Sequence, residues 1–204
     1  MGSCCDNDCF LDRLQERQRG TLWVVLGVNA VMFIVIVIGA FYGRSSALLS
    51  DSLDNLGDAV TYGLSIYAVS RGDTTKARVA LFKGGLIFLA ACAVIVQIVA
   101  KLISPTTPIF EVMGIFSLLG LAANSFCLFI LWRHRLEDVN MSSVWECSRN
   151  DIASNLSVFV AAAAVWLTES GWPDILVASC LVLLLIRSAI RVIASASARV
   201  RNKT

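Results

Sequence analysis

Histidine is nearly missing from this sequence: His134 is the single one in 204 residues. That excludes a His-Glu-x-x-His zinc hydrolase and a histidine-rich metal-binding loop. Proline is almost as scarce. Its three residues, at 105, 108 and 173, fall between apolar runs and break none of them. Charge is thin as well, at 16% of residues, against about 25% in a soluble domain. No Gly-x-Gly-Asp motif and no intramembrane serine–histidine pair is present. An intramembrane protease is thereby left without its chemistry, and the chain is not expected to be an enzyme. None of the seven cysteines falls in a loop on the predicted exterior side, so no structural disulfide is expected. A net charge of +2 offers no footprint for nucleic acid.

What the sequence has instead is hydrocarbon, at 57% of residues. Six apolar runs emerge: about Leu22–Tyr42, Ala47–Ser70, Val79–Ile103, Ile109–Trp132, Ser142–Thr168 and Asp174–Ala194. Each is near the roughly 20 residues that span a bilayer. The expected class is an all-α membrane protein with six transmembrane helices, multi-pass in the lipid bilayer. The first twenty residues are polar and no cleaved signal peptide is expected. Lys and Arg cluster in the N-terminal segment, around Arg71–Lys83, at Arg133 and Arg135, and from Arg187 to Lys203. Opposite them stand Arg44 and Lys101. Positive charge marks the cytoplasmic side, so both termini are expected there. The expected division is a cytoplasmic tail over 1–20, a membrane domain over 21–198, and a short basic cytoplasmic tail over 199–204.

The second run carries three aspartates, Asp51, Asp54 and Asp58. Their spacing of i, i+3 and i+7 puts them on one stripe of a helix. A carboxylate inside a bilayer costs at least ~2.5–3.5 kcal/mol, so such residues usually face a cavity and carry function. The fifth run has a second polar stripe, Ser143, Cys147, Asp151 and Asn155. Asp54 with Asp58, and Cys147 with Asp151, are each one turn apart. Two helices therefore offer two ligands each near the midplane. Four O and S ligands suit tetrahedral Zn²⁺, and a thiolate favours softer ions over Mg²⁺ or Ca²⁺. Asp51 is assigned an access role toward the exterior, and Asn155 a supporting role beside the ligands. Cys4, Cys5 and Cys9 are candidates for cytoplasmic metal capture. Cys92, Cys127 and Cys180 lie in apolar runs and are expected to be packing residues.

These stretches resemble the cation diffusion facilitator family of divalent metal/proton antiporters. LLSDSLDNLGD is similar to the family's second-helix segment, with Asp54-x3-Asp58 at its paired ligands and Asp51 at its upstream aspartate. SRNDIASN is similar to the fifth-helix segment, with Asp151 at a ligand position and Cys147 where the family usually has His or Asp. Asn29 and Asn124 match its asparagines in helices one and four. The resemblance covers Leu22 to about Ala198. It implies a cation efflux protein exporting Zn²⁺, or Cd²⁺, in exchange for protons by alternating access. The metal is then a transported substrate, and no resident cofactor is expected. It also implies a homodimer formed through the membrane domain, a short member without the family's cytoplasmic domain, and placement in a bacterial inner membrane. Two other functions fit the same residues: transport mainly of Fe²⁺, Co²⁺ or Ni²⁺, and a non-transporting membrane metal receptor or scaffold.

Overall fold

A computed structural model of the chain is all-helical. It describes the backbone of residues 4–68, 73–132 and 139–201, and side chains chiefly within 20–63, 81–132 and 149–194. Six helices follow in order: α1 (Cys4–Tyr42), α2 (Ser46–Ala68), α3 (Asp73–Ile103), α4 (Phe110–Trp132), α5 (Val139–Thr168) and α6 (Trp172–Arg201). Their outer bounds exceed the apolar runs. Helix α1 begins at Cys4 and crosses the expected boundary at residue 20, and α6 continues to Arg201. No proline interrupts either extension.

Five segments are long and apolar enough to cross a membrane: Gly20–Tyr42, Gly84–Ile103, Phe110–Trp132, Arg149–Thr168 and Trp172–Ala194. The protein is an integral, multi-pass membrane protein on that count. Helix α2 is outside the set. Its 23 residues reach about 35 Å, but its three aspartates interrupt the apolar character.

Packing explains how so polar a helix is accommodated. Helix α2 touches all five others, whereas α3 touches only α2 and α6 among the described residues. Helices α1, α2, α4 and α5 form a four-helix unit, and the antiparallel α3–α6 pair docks on it against α2 and α5. Among the described residues, every helix except α2 presents large apolar side chains outward, such as Ile34, Leu89, Phe129, Val160 and Leu184. Along α2, most of Ser45–Gly57 is buried. Lipid is as apolar as leucine, so the five apolar helices face it and α2 is sheathed by them.

The turn between α1 and α2 has a defined chemistry. Arg44 takes a left-handed conformation with φ of 49°. The Ser45 amide reaches back to the Ala40 carbonyl at 2.9 Å and the Arg44 amide to Phe41 at 3.3 Å, the pairing of a Schellman cap. Ser45 then caps α2, its Oγ accepting the Leu48 amide at 3.0 Å. One large apolar cluster, including Ile36, Leu48, Met113, Val158 and Leu181, spans both units. A smaller one, with Leu22, Val25, Tyr62, Cys127 and Leu131, fills the opposite end of the four-helix unit.

Candidate functional site

Between α2, α5 and α6 lies a cavity of about 890 Å³. Asp54, Gly57, Asp58 and Thr61 line it from α2, at the helical spacing i, i+3, i+4 and i+7. Helix α5 contributes Asn150, Asp151 and Ser154, and α6 contributes Cys180, Arg187, Ser188 and Arg191. Three carboxylates from two helices therefore share one space. The Asp58 and Asp151 carboxyl groups are close enough to hydrogen bond. Asp54 is held by the Ser154 hydroxyl. The Tyr62 hydroxyl donates to Asp58 Oδ2 at 2.6 Å, which fixes the orientation of that carboxyl group. Tyr62 is itself fully buried in the smaller apolar cluster.

Asp51 is placed differently from its two neighbours. It is completely buried and does not line the cavity. Its one-turn neighbour Asn55 is buried too, and donates Nδ2 to the Asp51 carbonyl at 3.2 Å. Asn155 is buried on α5 and donates in the same way to the Asp151 carbonyl at 2.8 Å. Its amide oxygen lies against Gly120 of α4, where a Cβ would collide with it. Asn29 and Asn124 are buried in the same four-helix unit.

The Cys147 position is on α5, one turn before Asp151, but its side chain lies outside the described residues. The side chains of Cys4, Cys5 and Cys9, and the whole of His134, also lie outside them. Among the described residues, no three His, Cys, Asp or Glu side chains close on a single ion-sized point. Asp54, Asp58 and Asp151 share the cavity wall without yet converging.

Of the cysteines expected as packing residues, Cys127 packs in the smaller apolar cluster and Cys180 does not. Cys127 is buried on α4 within electrostatic reach of Asp58 and Asp151. Cys180 is exposed and lines the cavity on α6. The expectation for Cys180 is thus corrected: it recurs on one α6 face with Arg187 and Arg191, and that face borders the cavity rather than lipid. The i, i+7, i+11 spacing of Cys180, Arg187 and Arg191 was the available signal.

A second polar centre was missed at the far end of α2. Asp174, fully buried in the first turn of α6, accepts four groups. They are Ser45 Oγ at 2.6 Å, the Ser46 amide at 2.9 Å, the Ala47 amide at 3.0 Å and Lys101 Nζ at 2.8 Å. Lys101 also donates to the Arg44 carbonyl. The carboxylate satisfies the free amides at the α2 N-terminus and complements the positive end of its dipole. This cluster joins α2, α3 and α6 at the end away from Asp58.

Compared with known families, the model describing the cation efflux transmembrane domain matches residues 22–199. A comparison with curated proteins gives no match.

Proposed function

Because the chain belongs to the cation efflux family, whose members are metal cation transporters, we propose that it exports Zn²⁺, or Cd²⁺, from the cytoplasm in exchange for protons. The metal ligands in this reading are Asp54, Asp58, Cys147 and Asp151. The observation that carries it is the approach of Asp58 on α2 to Asp151 on α5 across one cavity. Carboxylates on separate helices are what a mobile ion can draw together and a departing ion release. A hydrogen bond between two carboxyl groups is made by one shared proton. That proton is the species an arriving metal displaces, since metal ligands bind deprotonated.

In this mechanism, metal reaches the cavity past Arg187 and Arg191, and the Cys147 thiolate and three carboxylates close around it. Tyr62 and Ser154 orient Asp58 and Asp54 as they do so. The α3–α6 pair then shifts against the four-helix unit to expose the site on the other side. Protons take the ligands there, and the protonated form returns. All six helices span, both termini are cytoplasmic, and the working unit is a homodimer in a bacterial inner membrane.

The test is flux into vesicles holding a zinc dye under a pH gradient. Metal uptake coupled to proton movement is expected, with loss in Asp58→Ala and Asp151→Ala. Flux equal to that of the intact protein in both variants would remove the site assignment, and zinc flux without proton movement would remove antiport.

A further inference from the structure

The four-helix unit contains a line of buried oxygens that the proposed transport site does not use. Asp51, Asn55, Asn155, Asn124 and Asn29 are each at most 1% exposed. Both carboxylate oxygens of Asp51, and the amide oxygens of all four asparagines, have no hydrogen-bond partner among the described residues. For three of the asparagines the orientation is fixed. Asn29, Asn55 and Asn155 each donate Nδ2 to the carbonyl one turn earlier, at 2.9, 3.2 and 2.8 Å. Only the amide nitrogen can make that bond, so each Oδ1 is turned away from its own backbone.

These groups come from helices that pack on one another in a known register. Gly63 lies against Leu26, and Gly120 against both Ile36 and Asn155. Carried along at ~1.5 Å per residue, that register places Asp51, Asn55 and Asn155 within ~6 Å of each other along the bundle axis. Asn124 and then Asn29 continue the line over the next ~8 Å.

Donors remain in the set, on Asn124 Nδ2 and as the second amide hydrogens of Asn29, Asn55 and Asn155, yet none of them meets either oxygen of Asp51. Among the described residues no lysine or arginine pairs with Asp51, and the ion pair joins Lys101 to Asp174. A buried carboxylate without a counter-charge, beside amide oxygens, is costly unless a cation joins it. Oxygen ligands select hard ions over soft ones. A single negative charge among neutral oxygens balances one positive charge.

We propose that Asp51, Asn55 and Asn155 form a second, all-oxygen cation site, separate from the carboxylate–thiolate transport site, that holds a hard monovalent cation of the Na⁺ class, with Asn124 and Asn29 as the polar path that continues from it. The site does not depend on the identity of the transported metal. Bound Na⁺ ties α2 to α5 at a level of α2 nearer its N-terminus than Asp58.

The test is thermal unfolding of the full-length protein in nanodiscs, with chelator present to remove transition metals. NaCl, KCl, LiCl and choline chloride are compared at equal ionic strength. A saturable rise in Tm of several degrees is expected in NaCl over choline chloride, as binding to the folded state alone requires. Asp51→Asn and Asn155→Leu should each reduce the apparent Na⁺ affinity at least tenfold, while Cys147→Ser should retain it. Direct ²²Na⁺ binding to the intact protein by equilibrium dialysis gives the same answer without any variant. Equal Tm values in NaCl and choline chloride together with no ²²Na⁺ binding overturn the proposal. So does undiminished Na⁺ affinity in both variants. A rise in KCl or LiCl with none in NaCl overturns the Na⁺ assignment. None of these readouts uses metal flux, so failure here is distinguishable from failure of the transport reading.

Discussion

Lys101 Nζ lies 2.8 Å from Asp174 Oδ2, and both side chains are buried. The pair also reaches the Arg44 carbonyl and the first amides of α2. Deleting one member of a buried pair leaves the other charge uncompensated, at a cost of ~3–5 kcal/mol. Asp174→Ala is therefore expected to lower stability by that amount, since it also orphans the Ser46 and Ala47 amides. Asp174→Asn, which keeps an acceptor oxygen, should cost less. Denaturation of the purified protein in detergent measures both, and equal stability of Asp174→Ala and the intact protein contradicts the clamp.

Tyr62 offers a test that spares the ligands. Its hydroxyl donates to Asp58 Oδ2, and groups that orient a metal ligand typically contribute 10–100-fold to metal affinity. Tyr62→Phe keeps the ring that packs with Leu22, Val25 and Leu131. Zinc affinity is expected to fall ~10-fold while thermal stability changes little. Calorimetric titration with Zn²⁺ reads the first and a melting curve the second.

Gly120 is required by its neighbour. A Cβ there would collide with the Asn155 amide oxygen. Overpacking of this kind costs about 1–3 kcal/mol, so Gly120→Ala should be destabilised by that much. The double variant Gly120→Ala, Asn155→Ala should recover part of the loss. Absence of any recovery would separate the two positions.

Proton competition sets the direction of the pH effect. Metal binds the deprotonated ligands and releases their protons. Acidifying the side from which metal binds must therefore weaken apparent affinity, by up to ~10-fold per pH unit for each proton displaced. Zinc titrations across pH 6–8 check this, and a pH-independent affinity removes the exchange of metal for protons.

Cys147 bears on which metal is chosen. A thiolate prefers softer ions, so Cys147→Asp is expected to lower the ratio of Cd²⁺ to Zn²⁺ transport. The two fluxes measured in the same vesicles give the ratio, and an unchanged ratio takes Cys147 out of the ligand set.

The fold was largely legible because hydrophobic runs separated by short polar turns are a local signal. That Asp54, Asp58 and Asp151 line one cavity was legible too, since one-turn spacing on two polar helices predicts facing stripes. What escaped was non-local. Lys101 read as an exterior charge and Asp174 as the start of the last run. Nothing near either residue in sequence names its partner, because the Ser45–Asp174 bond joins groups 129 positions apart. Arg187 and Arg191 read as orienting charge, and only the packing of α6 beside α2 and α5 puts them at the cavity. The division between Asp51 and Asp58 is a matter of depth. Seven residues bring the two within about 20° of each other around the helix but set them about 10 Å apart along it, which takes Asp51 beyond the cavity lining.

The polarity of α2 has a consequence for how the chain is made. A segment with three carboxylates and, among its described residues, no large apolar side chain turned outward is a poor candidate to enter the bilayer alone. The Schellman turn at Arg44 couples it to α1, so the two are suited to insert together as a hairpin. Even then the Ser46 amide waits for an acceptor that lies 128 residues downstream, at Asp174. The second helix thus gains its full complement of bonds only when the last one has been synthesised. A nascent chain halted before α6 should be a substrate for membrane quality control rather than a smaller working protein.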